Sequence, residues 1–269
     1  GILVARGNKV ANYTDIPVKP KKDDYYDAAG NFDSAAYEID LKHYENDLEV
    51  FNNTTANSII TKVEAQFDQL INGVVKMIND ALNPEITQNI TGITGTDAEG
   101  NAVTLDGDYK ILDVINCPVG TDDDVTIGTE VFSRRTTDRY QVLTLNAQIY
   151  GTDADGNAIP LAQEIVNPDG TTSYKLYVYN EEDASDPNTL YTLQNLEVNP
   201  DLVADYSLLQ VKENPALGGT GAYNTVFEDM LAQWGEDFAV LDPNHQTAYS
   251  FDKYYQALIT DLAAQGSTW

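Results

Sequence analysis

Apolar positions recur at helical spacing toward both ends of the chain and at strand spacing between them. Tyr37, Leu41, Tyr44, Leu48 and Phe51 follow at steps of four, three, four and three, which places them on one helical face. Ala29-Gly30-Asn31 marks a turn before that helix, and Asp33 or Ser34 can cap its start by accepting a bond from a free backbone N–H. After an interruption at Asn52-Asn53-Thr54-Thr55 comes the strongest periodic signal. Ile60, Val63, Phe67, Leu70, Val74, Met77 and Ala81 repeat at three and four without a fault, a seam of about three heptads. A second stripe, Ile71, Val75, Ile78 and Leu82, widens the face beyond what a two-stranded coil requires and predicts burial against more than one partner. Asn83-Pro84 ends the helix, because proline disfavours the helical conformation of the residue before it.

From about Glu85 to Gly221 the helical period gives way to frequent turn dipeptides. Leu143, Leu145, Ala147 and Ile149 alternate with polar residues, as in a half-buried strand. Tyr174–Tyr179 alternates too, after the hairpin turn Asn167-Pro168-Asp169-Gly170. Further strands are predicted at Asp108–Asn116, Val125–Phe132, Pro160–Val166 and Leu190–Val198, which together suggest a sandwich or a partly closed barrel. Gly95-Thr96-Asp97-Ala98-Glu99-Gly100-Asn101-Ala102-Val103 is echoed by Gly151 to Ile159, and both read as hairpin turns.

Gly218-Gly219-Thr220-Gly221 reads as a flexible joint, after which Phe227, Met230, Leu231 and Trp234 share a helical face. Asp242-Pro243-Asn244 is a turn, and Ser250 caps a last helix bearing Phe251, Tyr254, Tyr255, Leu258 and Leu262, with Gly266 at its end. The order helices, strands, helices predicts an α+β fold. A discontinuous helical domain would come from both chain ends, residues 1–88 and 222–269, with an antiparallel β-rich domain, residues 89–221, inserted between. The expected packing and assembly core of the helical part is Ile60, Val63, Phe67, Leu70, Val74, Met77, Phe251, Tyr254, Tyr255 and Leu258.

Charge narrows the function. With 43 acidic and 15 basic residues the net charge is −28, which repels polyanions and argues against nucleic acid and anionic membrane surfaces as partners. The same charge supports solubility and resistance to non-specific association. No run approaches the ~18 apolar residues of a membrane span. The chain opens on Gly1 with no signal-type leader, so export by that route would rest on residues outside this sequence. Few Cys and Met beside many Tyr, Asn, Asp, Thr and Gly fit an extracellular bacterial protein.

Candidate chemistry is sparse. The single cysteine, Cys117, sits in an apolar context and reads as a small buried hydrophobe. There is no H-E-x-x-H and no Cys pair for zinc. Asp153, Asp155, Asn157 and Glu164 fall at calcium-loop positions, but Ala158 stands where the sharp turn wants Gly. Asp122-Asp123-Asp124 reads as a solvated loop. His43 and His245 lack a nearby Ser or Cys, and no nucleophile elbow or phosphate loop is present. Carboxylate pairs for glycoside hydrolysis remain open, since 43 acids offer many pairs. No cofactor is expected.

Three segments carry a resemblance. Gly1-Ile2-Leu3-Val4-Ala5-Arg6-Gly7, with Phe67–Asn79 further on, resembles the stretch that enters the long helical domain of the flagellar hook-associated protein FlgK family. Val198-Asn199-Pro200-Asp201-Leu202-Val203-Ala204-Asp205-Tyr206-Ser207 is similar to the family's "I-N-P-x-(I/L)-x-x-D-P-S" segment, and Ser250–Ile259 to its "T-F-x-D-Y-Y-x-x-L-V" segment. Gly7 stands where the family has an acid and Tyr206 where it has Pro, and residues 13–55 look like an enlarged insertion. The family's terminal coiled-coil segments are absent from this sequence. The resemblance implies a non-catalytic subunit of the hook–filament junction, exported by the flagellar type III apparatus and located in the extracellular flagellum. Its implied partners are copies of itself in a ring, the hook protein and the second junction protein, while the isolated fragment is expected to be monomeric. The rivals are another flagellar axial protein, such as a filament-type subunit or the second junction protein, and a secreted surface enzyme or carbohydrate-binding module.

Overall fold

In a computed structural model, which describes residues 10–27, 29–153, 155–215 and 224–266, the chain has helices and antiparallel sheets, 37% helical and 25% strand. The fold class is α+β. The chain forms two compact units, one from residues 1–74 and 232–269 and one from residues 75–231. The sequence pattern placed the joints at 88/89 and 221/222. The observed divisions, at 74/75 and 231/232, fall inside helices, and at the first of them the last turns of the seam helix bond with the β-rich segment. The opening Gly1–Gly7 and the Gly218–Gly221 joint lie outside the described residues.

In the first unit, α1 (Ser34–Asn53) starts where its cap predicts: the Asp33 carboxylate accepts from the N–H groups of Ala35 and Ala36. Its apolar face buries Tyr44 and Phe51. α2 (Ile59–Leu82) carries the seam, and its first turns belong to this unit. Ala11, Ile16, Phe51 and Ala65 form a small core between α1, α2 and the N-terminal segment.

The second unit is built on β1 (Glu85–Thr96), β2 (Ala102–Leu112), β4 (Tyr140–Leu145), β7 (Gln163–Val166) and β8 (Thr172–Tyr179), in the order β2-β1-β4-β8-β7. Single bridges at Thr96↔Thr144 and Ile111↔Val178 link β1 to β4 and β2 to β8, closing four strands into a partial barrel. Ile90, Leu105, Ile111, Leu143, Leu145, Leu176 and Val178 fill it. Gly95 lets β1 approach β4 closely: a Cβ there would stand 2.8 Å from Leu145 Cδ2 and 2.9 Å from Leu143 Cβ. Smaller pairs are β3 (Phe132–Arg134) with β9 (Leu196–Val198), and β5 (Tyr150–Thr152) with β6 (Ala158–Pro160). Among the described residues three α-helices follow β9 in the chain: α3 (Pro200–Ala204), α4 (Asn224–Gly235) and α5 (Phe251–Gly266).

The echoed segments form matching turns. Asp97 and Asp153 each donate their N–H to the carbonyl of the Asn four residues on and accept that Asn's N–H and side-chain amide, with Gly100 and Gly156 at φ +88° and +85°. These bonds hold both carboxyls below the ordinary carboxylate value. A third copy of D-A-x-G-N, Asp27 to Asn31, makes the same turn in the other unit and escaped the sequence comparison.

Candidate assembly surface

The seam helix splits its faces unexpectedly. Its buried side mixes polar with apolar residues: Thr61, Gln66, Asp68, Asn72, Asn79 and Asn83 at its end are buried beside Ala65, Leu70, Val75 and Leu82. In the first unit, α2 lies antiparallel to α5, which the pairings Lys62 with Asp261, Gln66 with Tyr254 and Gly73 with Phe251 define. Gln66 Nε2 donates to Leu241 O at 2.8 Å, and Tyr254 Oη donates to Gln66 O at 3.1 Å. Lys62 Nζ reaches Asp242 at 3.0 Å and Asp261 at 3.3 Å. Burial disfavours the Lys62 charge, but Asp242 and Asp261 more than offset it and raise its pKa.

Gly73 is the contact point of the pair. A Cβ there would stand 2.7 Å from Phe238 Cε2, and Phe238 is held by stacking on Phe251 at 4.2 Å between ring centroids. Gly73→Ala gains about 1 kcal/mol in helix propensity. Overpacking costs about 1–3 kcal/mol, and retreat of the Phe238 ring would disturb its stacking on Phe251. The expected result is a net loss of up to about 2 kcal/mol, read from urea titration by tryptophan fluorescence. An alanine variant as stable as the parent would show that the rings shift freely.

On this surface the sequence-predicted core residues divide. Leu70, Phe251, Tyr254 and Leu258 are buried as expected. Val63, Phe67, Val74 and Met77 are only half-buried. Ile60 and Tyr255 are exposed, at 42% and 50%, which corrects their assignment to the core. The reason is geometric. Ile60, Val63, Phe67, Ile71 and Val74 fall within an arc of about 80° on the wheel, next to the face that meets α5. On α5, Tyr255, Ile259 (47% exposed) and Leu262 (38%) flank the buried Phe251, Tyr254 and Leu258. In an antiparallel pair these two flanks turn to the same side. The result is a two-helix apolar face left partly uncovered, of the kind that marks an interaction site.

In the second unit the end of α2 meets residues 129–132. Asn79 Oδ1 accepts from the N–H of Val131 and Phe132, its Nδ2 donates to Phe132 O at 2.7 Å, and Asn83 Nδ2 donates to Thr129 O at 3.1 Å. Asn199 Nδ2 donates to Glu130 O at 2.8 Å. Asn199 also caps α3. Side-chain amides thus take the backbone groups that a strand over Val125–Phe132 would need, and only Phe132 of that predicted strand is in a sheet. Leu190–Val198 likewise shortens to β9.

Two buried arginines stand here. Arg139 Nη2 reaches Asp80 at 2.7 Å and Glu85 at 2.8 Å, and its guanidinium lies 5.1 Å from the Tyr179 ring centroid. Arg134 donates to the carbonyls of Asn180, Thr189 and Asp138 and lies over the Tyr191 ring at 4.6 Å. Tyr191 Oη donates to Glu130 Oε2 at 2.6 Å. Sequence reasoning found none of these, since nothing in the local pattern marks an Arg as buried.

The chemically versatile residues stay apart. Cys117 is fully buried, as expected, and burial pushes its thiol up to about 12. His43 and His245 are exposed. Asp153 is committed to its own turn, and among the described residues no His, Cys, Asp and Glu converge as a metal site. Tyr26, Tyr150, Tyr206, Phe227, Trp234 and Tyr255 are exposed, and none of them lines the groove formed by residues 114–127 and 160–168. No helix is long and apolar enough to cross a membrane among the described residues. No protein-family model, curated protein or solved structure matches the chain.

Proposed function

We propose that this chain is a non-catalytic structural subunit of the bacterial flagellum, placed at the junction between hook and filament. The observation that carries the reading is the partly uncovered apolar face of α2 and α5, borne by the two helices that contain Phe67–Asn79 and most of Ser250–Ile259. Those segments, with Val198–Ser207, are the ones that resemble the flagellar hook-associated protein FlgK family.

On this reading residues 1–88 and 222–269 belong to a discontinuous helical domain that builds the axial structure, and residues 89–221 form an inserted outer domain. The division into one unit from both chain ends and one from the middle supports it. The partners are further copies in a ring, the hook protein and the second junction protein. The subunit acts outside the cell after export through the flagellar type III apparatus. A net charge of −28 suits a surface that must stay soluble and shed non-specific contacts. The test is immunogold labelling of intact flagella with antibody raised to residues 89–221. Label confined to the hook–filament boundary is expected. Label along the filament, or on the cell surface away from flagella, overturns the assignment.

A further inference from the structure

β7 is an edge strand. Among the described residues it pairs only with β8, from Gln163↔Lys175 to Val166↔Thr172. The Asn167 N–H bond to Thr171 O, 2.8 Å, sets the phase of this ladder. In an antiparallel pair alternate residues bond inward, so Gln163 and Ile165 bond toward β8 while the N–H and C=O of Glu164 and Val166 point outward. Val166 is 73% exposed.

Beside this edge runs a groove of ≈ 860 Å³. Residues 163–168 line it, and Ile115, Val125 and Ile127 contribute apolar surface from other segments. The segment that carries Val125 is fixed. Asp122 accepts the Thr126 N–H and hydroxyl, and the Gly120 N–H bonds to Thr126 O at 2.8 Å. These bonds hold Val125, a β-branched residue, at φ +54°, a conformation that persists only where surroundings enforce it. What the groove offers is a row of outward backbone groups beside apolar side chains. Its charged lining is acidic, with Asp123, Asp124 and Glu164 against Lys175.

We propose that this groove binds an extended peptide segment of another protein by strand addition to β7, selecting a chain with alternate apolar side chains and Lys or Arg at one end. Backbone bonds to Glu164 and Val166 set the register, alternate side chains enter between Ile165 and Val125, and the basic end meets Asp123 and Asp124. The inference does not rest on the flagellar reading.

The probe is a fluorescein-labelled peptide, Lys-Lys-Thr-Val-Thr-Val-Thr-Val, titrated with the whole chain by fluorescence anisotropy. Its partner probe is the same peptide N-methylated on alternate amides, which removes the strand-pairing donors. Saturable binding is expected, weakened at least ~10-fold by N-methylation. Val166→Pro removes an outward donor without touching the bonds to β8 and is expected to weaken binding by a similar factor. Asp123→Asn with Asp124→Asn, on a solvated loop, keeps the fold and is expected to reduce affinity several-fold and flatten its salt dependence. Absence of saturable binding at ~1 mM chain, or equal affinity of the two peptides, overturns the proposal.

Discussion

Arg139→Ala is expected to destabilise the β-rich unit by about 3–5 kcal/mol, the usual effect of removing one partner from a buried ion pair. The Arg139 side chain is only 2% exposed and Glu85 only 16%, whereas Asp80, at 50%, can turn to water. Glu85 cannot. Burial already lifts its carboxyl above the ordinary value against the pull of Arg139, so loss of the guanidinium leaves it buried and unpaired. The damage spreads to Tyr140, whose hydroxyl bonds with both Arg139 and Glu85, and to Tyr179 beneath the guanidinium. Urea titration followed by far-UV circular dichroism measures the loss. A change below about 0.5 kcal/mol would mean that water replaces the guanidinium.

Stability of the same unit is expected to fall as pH rises from about 4.5 toward about 7, and Glu130→Gln to remove the share of that fall that Glu130 contributes. Glu130 is 5% exposed, and burial pushes its carboxyl up from 4.5 to about 7, although Tyr191 and the two arginines oppose the shift. The folded chain therefore holds this proton more tightly than the unfolded one. A raised carboxyl favours folding below its ordinary value, and the advantage is lost as pH climbs toward about 7. The span corresponds to a swing on the order of 3 kcal/mol. The substituted amide would keep an oxygen for Tyr191 and carry no charge at any pH. Parent and variant should be similar near pH 4, and the variant more stable above pH 7 by that order. Parallel stability–pH curves would show that Glu130 is solvated in a way its burial does not suggest.

The helices were legible in the sequence because their signals are local. Asp33 caps α1, Asn83-Pro84 ends α2, and the three-and-four spacing locates the seam. Which side of α2 is buried was only partly legible: Leu70, Val75 and Leu82 are buried as the period requires, but polar residues share that side. Periodicity assumes that apolar residues turn inward, yet Gln66, Asp68, Asn79 and Asn83 do so because Leu241, Tyr13 and residues 129–132 supply their hydrogen bonds. Those partners lie 46 to 175 positions away, beyond any local window. The same cause removed the strand over Val125–Phe132, whose spacing is strand-like but whose backbone groups at residues 129–132 bond mainly to asparagine side chains. The Gly170 turn joining β7 to β8 was legible from Pro168 and Gly170, whereas the partial barrel and the free edge of β7 depend on long-range pairing alone. Ile60 and Tyr255 followed the period correctly and were assigned the wrong environment, and their exposure is what defines the candidate surface.

The junction role is tested most directly by deleting the gene for this chain in its source bacterium and examining hooks, filaments and secreted flagellin. Hooks that carry no filament, with flagellin shed into the medium and swimming restored by the intact gene, are the predicted result. Normal filaments and normal swimming in the deletion strain would contradict the account.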